Sequence, residues 1–305
     1  MAEEKKKFKV ALANAYGFCF GVRRAVQIVE QARQERFGKL TTLGPIIHNP
    51  QVVNKHQQMG IELAANLEDI SDGTVVMSAH GVPPSTIKRA KELGLDIIDV
   101  TCPFVVKVHR AAKIMAQEGY TIVIVGDKGH SEVKGVLGTV ESVGGKVFVV
   151  STPEEVADLP IGRKVGVVCQ TTQKASNFAA VLGEIALRSY ETRSYNTICG
   201  ATDELQSAAL ALSNESDVIL VIGGKNSANT RRLRDICESH GVPTYHIETR
   251  DEIQPEWLEG KSVVGVTAGA STPDSVINDV LDWLSCGEVR VPENKKPYDI
   301  PRDTK

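Results

Sequence analysis

One pattern recurs along this chain and constrains its fold more than any other feature. Ile98-Asp99-Val100-Thr101-Cys102 closes a β-rich run and leads into a helical pattern, and Asn196-Thr197-Ile198-Cys199 does the same. Cys102 to His130 and Cys199 to Ser227 each span 28 residues. Gly126-Asp127-Lys128-Gly129-His130-Ser131-Glu132 lies over Gly223-Gly224-Lys225-Asn226-Ser227-Ala228-Asn229 at an offset of 97. Thr152 to Val156 lies over Thr249 to Ile253 in the same register, and Val165-Gly166-Val167 matches Val264-Gly265-Val266 after a slip of two. The first third is a looser copy. Cys19 to His48 is 29 residues, Gly44-Pro45-Ile46-Ile47-His48-Asn49 takes the place of the glycine-rich loops, and Ala79-His80-Gly81 follows a strand as Gln170-Thr171-Thr172 and Gly269-Ala270-Ser271 do.

Apolar runs alternate with helical patterns throughout. The runs at 8–13, 74–78, 96–100, 121–125, 147–150, 165–169, 218–222, 243–247 and 262–267 read as strands. Helical stretches lie at 105–117, 177–187, 201–212, 230–239 and 273–284, and a further pattern begins at Val22. Alternation of this kind predicts parallel sheets. The period is longer than that of solenoid repeats, so the expectation is three small α/β domains in pseudo-threefold arrangement. Their boundaries are 8–101, 102–198 and 199–286, with charged tails at 1–7 and 287–305. With 42% hydrophobic residues the chain can bury sizeable cores. A net charge of −3 leaves no basic footprint for nucleic acid. No run is long and apolar enough for a membrane span, and the start lacks a signal-peptide core. The expected compartment is therefore the cytoplasm, where six cysteines read as ligands, nucleophiles or core rather than disulfides.

Quasi-symmetry gathers equivalent positions near an axis, which makes Cys19, Cys102 and Cys199 one candidate set. Gly17 and Gly21 flank the first and allow close approach to the backbone. Three thiolates could hold zinc or an iron–sulfur cluster; a [4Fe–4S] cluster takes four ligands, so three cysteines leave one iron open. Cys169, Cys237 and Cys286 lack the repeated context and read as structural. A second set is polar: His48, His130 and Ser227 on the glycine-rich loops, and His80, Thr171 or Thr172, and Ser271 after later strands. Loop amides, helix starts and neutral donors suit a phosphate or diphosphate. Lys128 and Lys225 are outside any Walker pattern and read as solvated. His56, His109, His240 and His246 have no equivalent placement and read as structural or surface. Glu132 is either an acid complementing a helix N-terminus or a general acid. Asn229 holds its equivalent place in the last unit and cannot donate a proton in that way.

The motifs Gly17-Phe18-Cys19-Phe20-Gly21-Val22, Ile47-His48-Asn49, Ser78-Ala79-His80-Gly81-Val82, Asp99-Val100-Thr101-Cys102-Pro103, Gly129-His130-Ser131-Glu132-Val133, Gln170-Thr171-Thr172, Lys225-Asn226-Ser227 and Thr267-Ala268-Gly269-Ala270-Ser271 closely resemble the 4-hydroxy-3-methylbut-2-enyl diphosphate reductase family. The match runs in order from about Val10 to Leu284. The resemblance implies a trefoil of α/β units around a [4Fe–4S] cluster held by Cys19, Cys102 and Cys199, with an open iron site. It implies diphosphate contacts from His48, His80, Ser227, Asn229 and Ser271, with His130 nearby, Glu132 as proton donor and Thr171 as its hydroxyl partner. The implied reaction is reductive dehydroxylation of the allylic alcohol to isopentenyl and dimethylallyl diphosphates, the last step of the non-mevalonate isoprenoid pathway. Electrons would come from ferredoxin or flavodoxin, and the chain would act as a monomer or weak dimer. Some family members carry a second serine where this chain has Ala228, so one hydroxyl contact is either missing or replaced by a backbone amide. Two alternatives use the same cysteines. A thiolate–metal sensor of a phosphorylated metabolite would not need Glu132, and a cluster enzyme resembling quinolinate synthase would catalyse a condensation.

Overall fold

Strand centres in this chain are runs of β-branched residues buried on both faces, as parallel sheets between helices require. Thr121–Val125 reads TIVIV and Val218–Ile222 reads VILVI; all of Val218 to Ile222 is buried. The computed structural model describes residues 8–35 and 38–284, and the backbone of 289–290. The elements in the first third are β1 Lys9–Leu12, α1 Phe20–Glu35, β2 Leu40–Leu43, α2 Pro50–Gln58, β3 Glu62–Ala64, β4 Thr74–Met77, α3 Pro84–Glu92 and β5 Asp96–Asp99. The middle third holds α4 Pro103–Gln117, β6 Thr121–Val125, α5 Ser131–Glu141, β7 Val147–Val150, β8 Lys164–Cys169, α6 Ala175–Arg188 and β9 Glu191–Ser194. The last third holds α7 Gly200–Ser213, β10 Val218–Ile222, α8 Ala228–Ser239, β11 Thr244–Ile247, β12 Val263–Ala268, α9 Asp274–Leu284 and β13 Val289–Arg290.

The described residues fall into two compact units. One draws on the ranges 1–22, 48–52 and 200–305, the other on 23–47 and 53–199. The first contains one sheet of order β11-β10-β12-β1-β13. The second contains two sheets, β3-β2-β4-β5 and β7-β6-β8-β9. Every recorded strand pair is parallel. The three sheets share one order, in which β11, β3 and β7 are equivalent, then β10, β2 and β6, then β12, β4 and β8, then β1, β5 and β9; β13 is an addition. Three parallel-sheet α/β units were expected and are present.

Strand pairing regroups one piece. β1 lies beside β12, with Leu12 opposite Val266, so it belongs to the sheet of the last third and not with β2–β5. The segment 8–101 read from the periodicity therefore loses its opening strand. The reason is physical: β1 is apolar and buried at Val10, Ala11 and Leu12 and needs a neighbour on each side, which β12 and β13 supply. The strands β2, β3 and β9 and the helices α2, α3 and α5 have no counterpart among the sequence-derived elements. β9 is a polar edge strand (ETRS), and α5 carries Gly135 and Gly138, which weaken a helical reading.

Cores lie on both faces of the β10 and β6 sheets. In the first unit, α9 covers one face through Ile277, Val280 and Leu284, and α7 and α8 cover the other through Leu205, Leu212 and Leu233. In the second unit, α4 and α5 cover one face of the β6 sheet and α6 covers the opposite face. Cys169 and Cys237 are fully buried in these cores, as expected for structural cysteines. Cys286 lies outside the described residues.

Candidate active site

In open parallel sheets, ligands bind beyond the strand carboxyl ends where the connection direction reverses. In all three sheets that switch falls between the two central strands: β2 and β4, β6 and β8, β10 and β12. The expected polar residues follow those strands: His48 and His80, His130 and Thr171, Ser227 and Ser271. The outer neighbour of each central pair leads to a cysteine, and each cysteine is held by the same hydrogen bond. The Cys102 amide donates to the Ala79 carbonyl at 3.0 Å, the Cys199 amide to Thr171 at 2.9 Å and the Cys19 amide to Ala270 at 3.1 Å. The repeat seen in the sequence is thus a repeat of backbone geometry.

None of the three cysteines is in a disulfide, and all are half-buried. Cys102 is the N-cap of α4, and burial pushes its thiol above the ordinary value. The Phe104 and Val105 amides oppose that shift, and the charge of Glu132 adds to it. A soft cation would reverse this preference by binding the thiolate. Gly17 has a different task from the one its place beside Cys19 suggests. It adopts φ +75°, and a Cβ there would lie 2.9 Å from Ile277 Cδ1, so it admits α9 rather than a ligand.

Glu132 is the second residue of α5 and only 2% exposed. The Thr171 amide donates to its Oε1 at 2.6 Å and the Thr171 hydroxyl to its Oε2 at 2.8 Å. An acid that merely complements a helix dipole sits in solvent; this one is buried and doubly bonded to the neighbouring strand end. His130 caps α5, its Nδ1 accepting from the Glu132 amide at 3.2 Å. That acceptor role leaves the neutral ring's proton on Nε2. The His80 and His130 rings meet edge to face at 5.6 Å.

In the first unit, Ser227 caps α8 by accepting from the Thr230 amide at 3.3 Å. Ala228 and Asn229 open the helix, where backbone amides lack intrahelical acceptors. Asn229 is 4% exposed, and neither end of its amide has a hydrogen-bond partner. Buried polar atoms of that kind are costly unless something satisfies them. The Ser271 hydroxyl donates to the His48 carbonyl at 3.4 Å. Burial, and then the Arg231 charge, lower the His48 pKa and favour the neutral ring.

Lys128 and Lys225 are not simply solvated. Lys128 pairs with Glu155 at 2.9 Å, and Lys225 pairs with Glu252 at 2.5 Å, the same bond at the offset of 97. Glu155 in turn accepts from the Ser151 amide and Glu252 from the Glu248 amide, again equivalent positions. Each lysine fastens its glycine-rich loop to the following 3-10 turn. The matching carboxylates at that offset were a readable signal.

The family described as LytB protein matches residues 10–285. This chain belongs to the LytB family. Its LytB relatives include a protein of Aquifex aeolicus, 46% identical over 271 residues, covering 89% of this chain and 94% of the relative. Another, of Pelobacter propionicus, is 47% identical over 290 residues, covering 94% and 99%. Both are named 4-hydroxy-3-methylbut-2-enyl diphosphate reductase. A solved reductase structure, titled as the terminal enzyme of the non-mevalonate pathway, is 45% identical, covers 91% of this chain and 99% of its own, and has TM-score 0.68. The reductase of Plasmodium falciparum is 27% identical, covers 95% and 96%, and has TM-score 0.88. The family read from the motifs is borne out, and with it an oxidoreductase fold. Among the described residues no helix is long and apolar enough to cross a membrane.

Proposed function

We propose that this LytB-family chain reduces 4-hydroxy-3-methylbut-2-enyl diphosphate to isopentenyl and dimethylallyl diphosphates, with loss of water. The observation that carries the reading is the buried Glu132 carboxylate, held by both hydrogen-bonding groups of Thr171, whose carbonyl in turn accepts from the Cys199 amide. Cys19, Cys102 and Cys199 would hold a [4Fe–4S] cluster. Three cysteines outside any disulfide, on equivalent backbone hydrogen bonds, in a family of reductases, form a donor set that fits it. When bound, the cluster supplies electrons and an open Lewis-acidic iron. Reduced ferredoxin or flavodoxin supplies two electrons, and two protons complete the balance as the allylic C–O bond breaks and water leaves.

The protein's own residues bind, orient and protonate. His48, His80, His130, Ser227, Asn229, Ser271 and the Ala228 amide bind the diphosphate, away from the bond that breaks. Their binding energy fixes the alcohol's position. Hydroxide is a poor leaving group, so its departure needs a proton. The Glu132–Thr171 hydroxyl bond works in either direction. With the carboxylate ionised, Thr171 Oγ1 donates to Oε2; with the acid protonated, Oε2 donates to Thr171, whose hydroxyl hydrogen is released toward the substrate. The test is anaerobic purification, a visible spectrum and turnover with a chemically reduced one-electron carrier. Both diphosphate products should appear. A fully cluster-loaded protein that binds the substrate without turnover would sink the reading in favour of a sensor.

A further inference from the structure

His109, on α4, lies between two pieces of the site without belonging to it. Its Nδ1 is 2.8 Å from Thr139 Oγ1, on the last turn of α5. The Thr139 hydroxyl already donates its only hydrogen to the Gly135 carbonyl at 3.0 Å. Nδ1 must therefore carry the imidazole proton and donate to Thr139. That leaves Nε2 as a bare lone pair, and it is buried with no hydrogen-bond partner. Its surroundings explain why. A Cβ built on Gly81 would lie 3.0 Å from Nε2, and one on Gly135 would lie 3.1 Å from Cε1 and 3.4 Å from the Gly81 carbonyl carbon. Two glycines in different segments have given up their side-chain space to one ring. Gly81 follows His80 directly and has φ +76°, where a side chain is strained as well. Gly135 sits one turn after His130 and Glu132. A buried, half-satisfied imidazole is a poor choice for packing alone, since an apolar side chain of similar size fills such a space without an orphaned atom.

We infer that His109 is a positioning residue: hydrogen-bonded to α5 and wedged against Gly81, it sets the spacing between the His80 loop and the helix start that carries His130 and Glu132. The inference rests on the reading of that site given above. Diphosphate binding depends on His80 and His130 and protonation on Glu132, so a shift in the spacing changes KM and kcat together. Loss of packing alone changes only the melting temperature.

Thr139 supplies the decisive comparison, because it touches the ring and not the site. In cluster-loaded holoenzyme, Thr139→Ser keeps the acceptor and should match wild type. Thr139→Val and His109→Phe should each lower kcat and raise KM so that kcat/KM falls about ten- to hundredfold. Binding of inorganic diphosphate, followed by calorimetry, should weaken in parallel while the visible spectrum of the cluster is unchanged. If His109→Phe fails to fold, the Thr139 pair decides alone. Values of kcat, KM and diphosphate affinity within twofold of wild type in Thr139→Val overturn the inference. Wild-type protein that neither binds diphosphate nor turns over overturns the site reading and the inference with it.

Discussion

Glu132 and Thr171 are joined twice, the carboxylate taking the threonine amide on one oxygen and the threonine hydroxyl on the other. They stand 39 residues apart in sequence and are both buried. Replacing Glu132 with Gln preserves the shape of this pair. The amide oxygen still accepts from the Thr171 amide, and the NH₂ donates to the Thr171 hydroxyl. Only the transferable proton is lost. Glu132→Gln should therefore retain cluster content and diphosphate binding while kcat falls about 100-fold or more. Turnover close to wild type would remove Glu132 from the mechanism.

The other half of the pair separates orientation from proton supply. Thr171→Val keeps the amide bond to Oε1 but removes the hydroxyl that donates to the buried Oε2, a cost of about 1–3 kcal/mol. Chemical denaturation should register that loss, and kcat should drop about tenfold. Thr171→Ser restores the hydroxyl and should recover most of both. Equal behaviour of the serine and valine variants would show that the hydroxyl does nothing.

Cluster content distinguishes the cysteines. Serine at Cys19, Cys102 or Cys199 should greatly reduce iron and sulfide per chain. Alanine at Cys169 or Cys237 should leave both unchanged, because those thiols are fully buried in apolar cores, and burial pushes each thiol up. A fully loaded and active Cys102→Ser protein would refute the three-ligand model.

Much of this was legible because the chain repeats itself. Equivalent strand ends put Cys19, Cys102 and Cys199 in one class, and the structure gives them one backbone hydrogen bond. The polar loop residues were legible for the same reason. The strand exchange of β1 was not, since nothing local distinguishes pairing with β2 from pairing with β12, some 250 residues away. His109 was also hidden. Its significance lies in Gly81 and Gly135, whose approach to one ring is visible only in the folded chain. The Glu132–Thr171 pair was legible through the family resemblance alone, since its bond needs the β6 and β8 ends side by side and no local pattern provides that.

Histidine burial sets the acid side of the stability profile. His56 is 4% exposed, and its pKa is lowered chiefly by burial; Glu30 opposes that shift and Lys55 adds to it. The folded ring thus binds its proton more weakly than the unfolded ring, whose ordinary value is 6.5. The stability contributed by its neutral form is complete above that value and is lost as pH falls toward the lowered folded value. His48, His109 and His246 shift in the same direction. Unfolding free energy should decline as pH drops below about 7, each histidine adding at most about 1.4 kcal/mol per pH unit. His56→Leu removes one such proton and should flatten the profile against wild type; an unchanged slope would contradict the assignment.

Close packing at the end of β12 yields the sharpest stability prediction. A Cβ built on Gly269 would lie 2.0 Å from Thr230 Oγ1 and 3.1 Å from Thr230 Cβ, and Thr230 is fully buried on α8. Turning the Thr230 hydroxyl away does not by itself clear the space, because Thr230 Cβ and Cα lie only 3.1 and 3.4 Å from that Cβ. Gly269→Ala should destabilise the chain by about 1–3 kcal/mol or more, the usual cost of overpacking a core. Thr230→Ala removes the obstructing hydroxyl and methyl. That hydroxyl has no hydrogen-bond partner, so its loss strands no polar group. The double variant should recover part of the loss, giving a coupling energy of about 0.5–3 kcal/mol in a double-mutant cycle. Additive effects would mean that the two residues do not compete for one space.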